Sequence, residues 1–200
     1  MLPEGFELRT QFPPGEQVKV TPAIREISER FRGLHYPNAF RDIHDYIFDR
    51  IKILPYDESV VAYEKKRRWK LTADDILRVG TVVDTKYCND MVSLFLAISR
   101  GIGFDAKVAK VFNRNIAVHS LALVDSPQLS DQYLINAGSK DKYWIEPFPR
   151  EQKLQFGAHL PNDWILWKAD VDQWAMGLND SSQETTTIMA DARQLFAPKA

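Results

Sequence analysis

The sequence contains a single cysteine, Cys88, so an intramolecular disulfide is excluded and nothing points to an oxidising compartment. It carries almost no net charge, −1 from 26 Lys and Arg against 27 Asp and Glu, which gives no reason to expect nucleic acid or an anionic membrane as partner. No apolar run approaches the roughly 20 residues that span a bilayer. The opening stretch, MLPEGFELRTQFPPG, has early acidic residues and prolines and no apolar core, unlike a signal peptide. There is no internal repeat, no low-complexity segment, and no set of Cys, His and carboxylates at metal spacing. These absences lead to the expectation of a cytoplasmic protein that needs no metal or cofactor. The oligomeric state is not readable. With 44% hydrophobic and 26% charged residues, the 200-residue chain fits one globular domain, with an irregular arm over residues 1–20 and an extension over 150–200.

What is present centres on residues 71–108. Cys88 stands immediately before Met91, Val92, Leu94, Phe95, Leu96, Ala97 and Ile98, a run apolar nearly all the way round, which predicts a helix in the middle of the core. The thiol then lies at a helix N-terminus, where unpaired N–H groups and the dipole favour an anion. Upstream, residues 17–20 read as a short strand. Thr21 and Pro22 open a helix with Ile24, Ile27 and Phe31 on one face, closed by Gly33. A second helix is predicted over 39–53, from the spacing of Phe40, Ile43, Ile47 and Ile51. Residues 64–68, Glu-Lys-Lys-Arg-Arg, read as a solvated loop. Thr72 caps a short helix ended by Gly80, and Gly101 with Gly103 stops the central helix after Arg100.

Beyond it the period changes to two. Strands are predicted over 106–112, 116–124, 133–137 and 143–148, which makes the fold α+β, with an antiparallel β-sheet against N-terminal helices. His119 is the polar ring in the apolar strand IAVHSLALV. Alone it reads as a buried histidine satisfied by a backbone carbonyl. Paired with a cysteine at the start of a buried helix, it reads as a base facing a sulfur. A third group would orient the ring; Asn136 and Glu146, on the next two strands, are the candidates, while Asp125 and Asp131 read as turn residues. His35 and His44 read as surface or boundary residues, and His159 has no evident partner. Trp164, Trp167 and Trp174 read chiefly as packing, with a substrate groove as the alternative. Residues 179–187 read as a loop and 188–196 as a terminal helix.

The block TADDILRVGTVVDTKYCNDMVSLFLAISRGIGFDAKVAKV resembles the core of the transglutaminase-like superfamily, with its short helix, Cys-led buried helix and Arg-Gly-rich stop before a strand. FRDIHDYIFDRIKILPYD is similar to the family's upstream helix, and the resemblance covers roughly residues 20–149. It implies a papain-like/transglutaminase-like core in which Cys88 is the nucleophile, His119 the base and Asn136, in YLINA, the orienting residue, with Asn where the family usually has Asp. Glu146 remains the alternative. The chain departs from the pattern at Lys86, where many members have Gly, and at Ser120-Leu121, where an aromatic is common. The implied activity is cleavage or exchange of an amide, peptide or isopeptide bond through a thioester, with hydrolysis favoured, as in a cysteine protease. The alternative is a catalytically silent binding domain. The partner is a peptide or protein amide substrate. The oxyanion hole would use the Cys88 N–H and one donor among Tyr87, Thr85 and Trp69.

Overall fold

The fold is seen in a computed structural model that describes residues 2–85, 87–127, 129–180 and 184–197. Its centre is a helix that opens on Cys88. We label the helices α1 (Pro22–Ser28), α2 (Asn38–Arg50), α3 (Glu58–Arg67), α4 (Ala73–Val79), α5 (Cys88–Gly101) and α6 (Met189–Phe196). The strands are β1 (Lys52–Leu54), β2 (Thr81–Val83), β3 (Asp105–Phe112), β4 (Val118–Asp125), β5 (Gln132–Ile135), β6 (Ile145–Phe148), β7 (His159–Leu160) and β8 (Trp164–Asp170). Strands β3 to β8 form one antiparallel sheet in the order β6-β5-β4-β3-β8-β7. The architecture is α+β, with the helices against that sheet.

Alternation along β3 builds the two sides of the sheet. Ala106, Val108 and Phe112 join the main core with α5, while Ala109 and Val111 join a smaller cluster with Leu121, Leu134, Leu160 and Leu166. On α5, Met91 to Ile98 are all buried, because helices α1, α2 and α4 and the sheet enclose it. Each of its large apolar side chains contributes about 1.5–3 kcal/mol on burial. At its C-terminal end, Arg100 donates to the carbonyls of Ala106 and Val171, which ties the helix stop to β3 and to the segment after β8. The α4 capping box uses Thr72 and Asp75, and Gly80 ends that helix at φ +66°.

Several expectations are corrected by tertiary contacts. Residues 17–20 are no strand: Glu16–Val18 is a 3₁₀ turn, because the Gln17 N–H donates to Asp172 and its side chain accepts from Gln173 N–H. Residues 64–68 are no solvated loop. Their first four end α3, and Glu64 and Arg67 are buried because Arg67 reaches inward to Asp90. The second helix stops at Arg50, and residues 52–54 instead form β1, parallel to β2 on the approach to Cys88. Ile116 stands outside β4 at φ +58°, in a turn capped by the Asn113 side chain. Residues 184–187 of the expected loop, with Ile188 of the expected terminal helix, form a π-helical turn that runs into α6, whereas 181–183 lie outside the described residues. His44 is buried rather than peripheral, bonded to Asp45 and to the Ser139 carbonyl. The extension after residue 150 supplies β7 and β8, and β8 pairs with β3 in the middle of the sheet.

Among the described residues, no helix is long and apolar enough to cross a membrane.

Candidate active site

Cys88 is the first residue of α5. The preceding Tyr87 makes no side-chain cap, so the first-turn N–H groups are not satisfied in that way. The thiol is partly exposed and lines a cleft of about 180 Å³ with Thr85, Tyr87, Val118, His119, Gly138 and Ser139. The cleft thus collects the loop before α5, the start of β4 and the loop after β5.

His119 Nε2 lies 2.7 Å from Asn136 Oδ1, and the Asn136 amide nitrogen donates to the Lys142 carbonyl at 2.7 Å. The second bond decides the roles in the first. The nitrogen end of the amide is occupied by a carbonyl, so its oxygen faces the ring and Nε2 carries the hydrogen. Nδ1 is left for Cys88, with which His119 is hydrogen-bonded. Burial is the largest influence on the ring and favours its neutral form. The hydrogen bond and negative charge of Cys88, with the bond to Asn136, outweigh it, and the His119 pKa is raised; Lys110 pulls the other way. The Trp164 indole on β8 stacks on the imidazole with centroids 5.4 Å apart and planes 24° apart.

Asn136 stands one residue past β5. Its N–H donates to the Trp144 carbonyl, and the loop it opens returns to α5 at Gly138. A Cβ at Gly138 would meet Cys88 O and Val92 Cγ2 at 3.0 Å and Cys88 Cα at 3.1 Å, so only a glycine lets this loop lie against the backbone of Cys88. Thr85 has φ +62°, unusual for a β-branched residue, and its N–H donates to Asp84 Oδ1 at 2.7 Å. Burial raises the Tyr87 phenol pKa, with a hydrogen bond to the main chain at Lys140 opposing it.

The structure therefore brings Cys88, His119 and Asn136 together. Glu146 is exposed on β6, opposite Leu134, and the side-chain contact to the His119 ring is made by Asn136. Asp125 is held by Arg150 at the far end of β4. Of the three upstream donor candidates, Thr85 and Tyr87 line the cleft. Trp69 does not; its ring lies under Lys110 Nζ at 4.5 Å and its carbonyl accepts from Trp174 Nε1. Trp167 packs as expected, bonded to Asp191 of α6. Lys86 lies outside the described residues. Among those described, no three His, Cys, Asp or Glu side chains are grouped so as to hold a metal ion.

Sequence reading missed a polar group buried behind the thiol. Asn89 Oδ1 accepts from Lys110 Nζ at 2.8 Å and Ser120 Oγ at 2.6 Å, and stands 3.9 Å from Cys88 Sγ. The signal was there in β3, where Lys110 interrupts the inward-facing series Ala106, Val108, Phe112. It also missed the buried ion cluster of Arg67, Glu64 and Asp90, in which burial raises the pKa of both carboxyls.

No model of a known protein family matches the chain, and no curated protein matches it. A solved structure described as a candidate cysteine protease from Cytophaga hutchinsonii is similar over 85% of this chain and 48% of that one, with 14% identity and a TM-score of 0.49. The chain thus spans about half the length of that protein. At so remote a likeness, the chemistry rests on this chain's own residues.

Proposed function

We propose that the chain is a cysteine hydrolase with a papain-like, transglutaminase-like core that cleaves an amide or peptide bond through a thioester on Cys88. The observation that carries the reading is the ordered series of contacts from sulfur to imidazole to amide oxygen, with the Asn136 amide fixed at its other end by Lys142. In this reading His119 Nδ1 takes the thiol proton. The sulfur attacks the carbonyl carbon, and the resulting oxyanion is met by the Cys88 N–H and a donor from the Thr85–Tyr87 side of the cleft. Collapse breaks the C–N bond as His119 returns the proton to the leaving amine. Water then attacks the thioester, His119 accepts its proton, and the C–S bond breaks. Asn136 keeps Nδ1 aimed at sulfur throughout but cannot neutralise the imidazolium as an aspartate would. Water requires no dedicated acceptor pocket, which favours hydrolysis over transfer to an amine. The proposed substrate is a peptide or protein amide, met by one domain in the cytoplasm.

Alkylation by iodoacetate across pH tests this. An anionic reagent reacts fastest where a thiolate and an imidazolium coexist, so the wild-type rate should pass through a maximum. The raised His119 pKa places the falling limb above the ordinary histidine value of about 6.5. In His119→Ala the maximum should vanish, and the rate at pH 6 should drop on the order of 10–100-fold, since a free thiol with pKa near 8.5 is under 1% ionised there. A wild-type profile already matching that of a free thiol would refute the pair, and would leave the silent binding domain as the reading of the fold.

A further inference from the structure

Directly behind the proposed nucleophile lies a lysine that the mechanism above does not use. Lys110, in the middle of β3, has no solvent exposure. Its Nζ donates to Asn89 Oδ1 at 2.8 Å and Ser120 Oγ at 3.1 Å, and sits 4.5 Å from the Trp69 ring centroid. Ser120 is its register partner on β4 and the residue after His119; Asn89 is the residue after Cys88. The cation therefore bonds the neighbours of both members of the pair, Asn89 and Ser120, and Asn89 Oδ1, which also accepts from Ser120 Oγ, faces the sulfur at 3.9 Å. Filling one inward position of a core strand with an ammonium is costly unless its charge is used or compensated.

We propose that Lys110 is a positioning residue for this site, which fixes Asn89 behind the sulfur and, as a buried positive charge, sets the pH range over which Cys88 and His119 act as an ion pair. The inference rests on the reading of that pair given above. A fixed cation stabilises the thiolate and opposes the imidazolium, so it draws both limbs of the activity profile toward lower pH. Its action on His119 has that sign. Other charges stand around the site. Arg67 and Arg68, from α3 and the residue after it, face Asp90 of α5, with Glu64 alongside. Asp84 and Asp141 act on Tyr87 from the flanking loops. On β8, Lys168 is the register partner of Lys110 and is exposed.

The test is the iodoacetate profile of Lys110→Met, a neutral side chain of similar length, with thermal unfolding recorded alongside. Both limbs should move up, the thiol limb by about two pH units, the scale of a single charge acting across several ångströms at an effective dielectric near 20. Asn89→Asp provides a second variant of unchanged shape that sets a carboxylate on the ammonium, and both limbs should again move up. A folded Lys110→Met, or a folded Asn89→Asp, with limbs where wild type has them would overturn the inference while leaving the pair intact. A merely structural lysine would lower the melting temperature without moving the limbs. A wild-type profile with a single limb at the free-thiol position would overturn the pair and this inference together.

Discussion

Gly138→Ala offers a measure of how tightly the loop after β5 controls Cys88. The new Cβ would stand 3.0 Å from Cys88 O and Val92 Cγ2, where ordinary contact begins at 3.4 Å, so about 0.4 Å must be found. It will not come from α5, whose residues 91–98 are buried on every side. The loop must lift instead. That loop carries the Ser139 carbonyl bonded to His44 and leads to the Lys142 carbonyl that holds Asn136. Overpacking of this kind costs about 1–3 kcal/mol, offset by about 0.4–1 kcal/mol from a stiffer unfolded chain, because Gly138 is not among the glycines with positive φ. We expect a net loss of about 1–2 kcal/mol in urea unfolding. A catalytic group displaced by 1 Å can lose about 100-fold in rate, so a shift of 0.4 Å corresponds to roughly tenfold slower iodoacetate alkylation of Cys88 at pH 6. A Gly138→Ala protein as stable and as reactive as wild type would refute the close approach of this loop to Cys88.

Arg67→Met should cost about 3–5 kcal/mol in urea unfolding, because it leaves Asp90 and Glu64 buried without the guanidinium bonded to both; a loss under about 1 kcal/mol would show the cluster to be solvated. Asp75 should contribute to acid unfolding. Burial pushes its carboxyl up, but bonds from Thr72 and Arg9 outweigh this and the pKa is lowered. Its contribution is therefore complete above the unfolded-state value near 4 and disappears as pH falls through the folded value below that. The stability difference between wild type and Asp75→Asn should accordingly shrink as pH is lowered from 5 to 2, and a difference constant over that range would count against it.

The legible parts of this chain were those whose cause is local. Thr21-Pro22, the Thr72–Asp75 capping box and the Gly101–Gly103 stop all act within a few residues, and α1, α4 and α5 begin or end close to where they were expected. The apolar surround of α5 announced a central helix because nothing but burial rewards that composition. Cys88 and His119 could be singled out together because a thiol at the start of a buried helix and a polar ring in an apolar strand suit each other; between Asn136 and Glu146 the residues left the choice open, and only the family resemblance pointed to Asn136. What could not be read was decided by distant partners. Arg67 looked like part of a charge run because its partner Asp90 is 23 positions away. The β1–β2 pair is three residues long on each side, too short for a period to appear. Trp164 looked like packing, and its stacking on His119 depends on β8 crossing back to β3, which no local pattern specifies.

The size of the cleft at Cys88 carries a consequence for chemical probes. About 180 Å³ is well below the roughly 300–1,000 Å³ of sites that enclose drug-sized ligands. Such a space admits a small reactive group and little more, so selectivity among ligands must be won on the open surface around its mouth. Fragment-sized electrophiles should reach the sulfur whatever side chain they carry. A ligand meant for this protein alone would have to be built outward from the electrophile, beyond the residues that line the cleft.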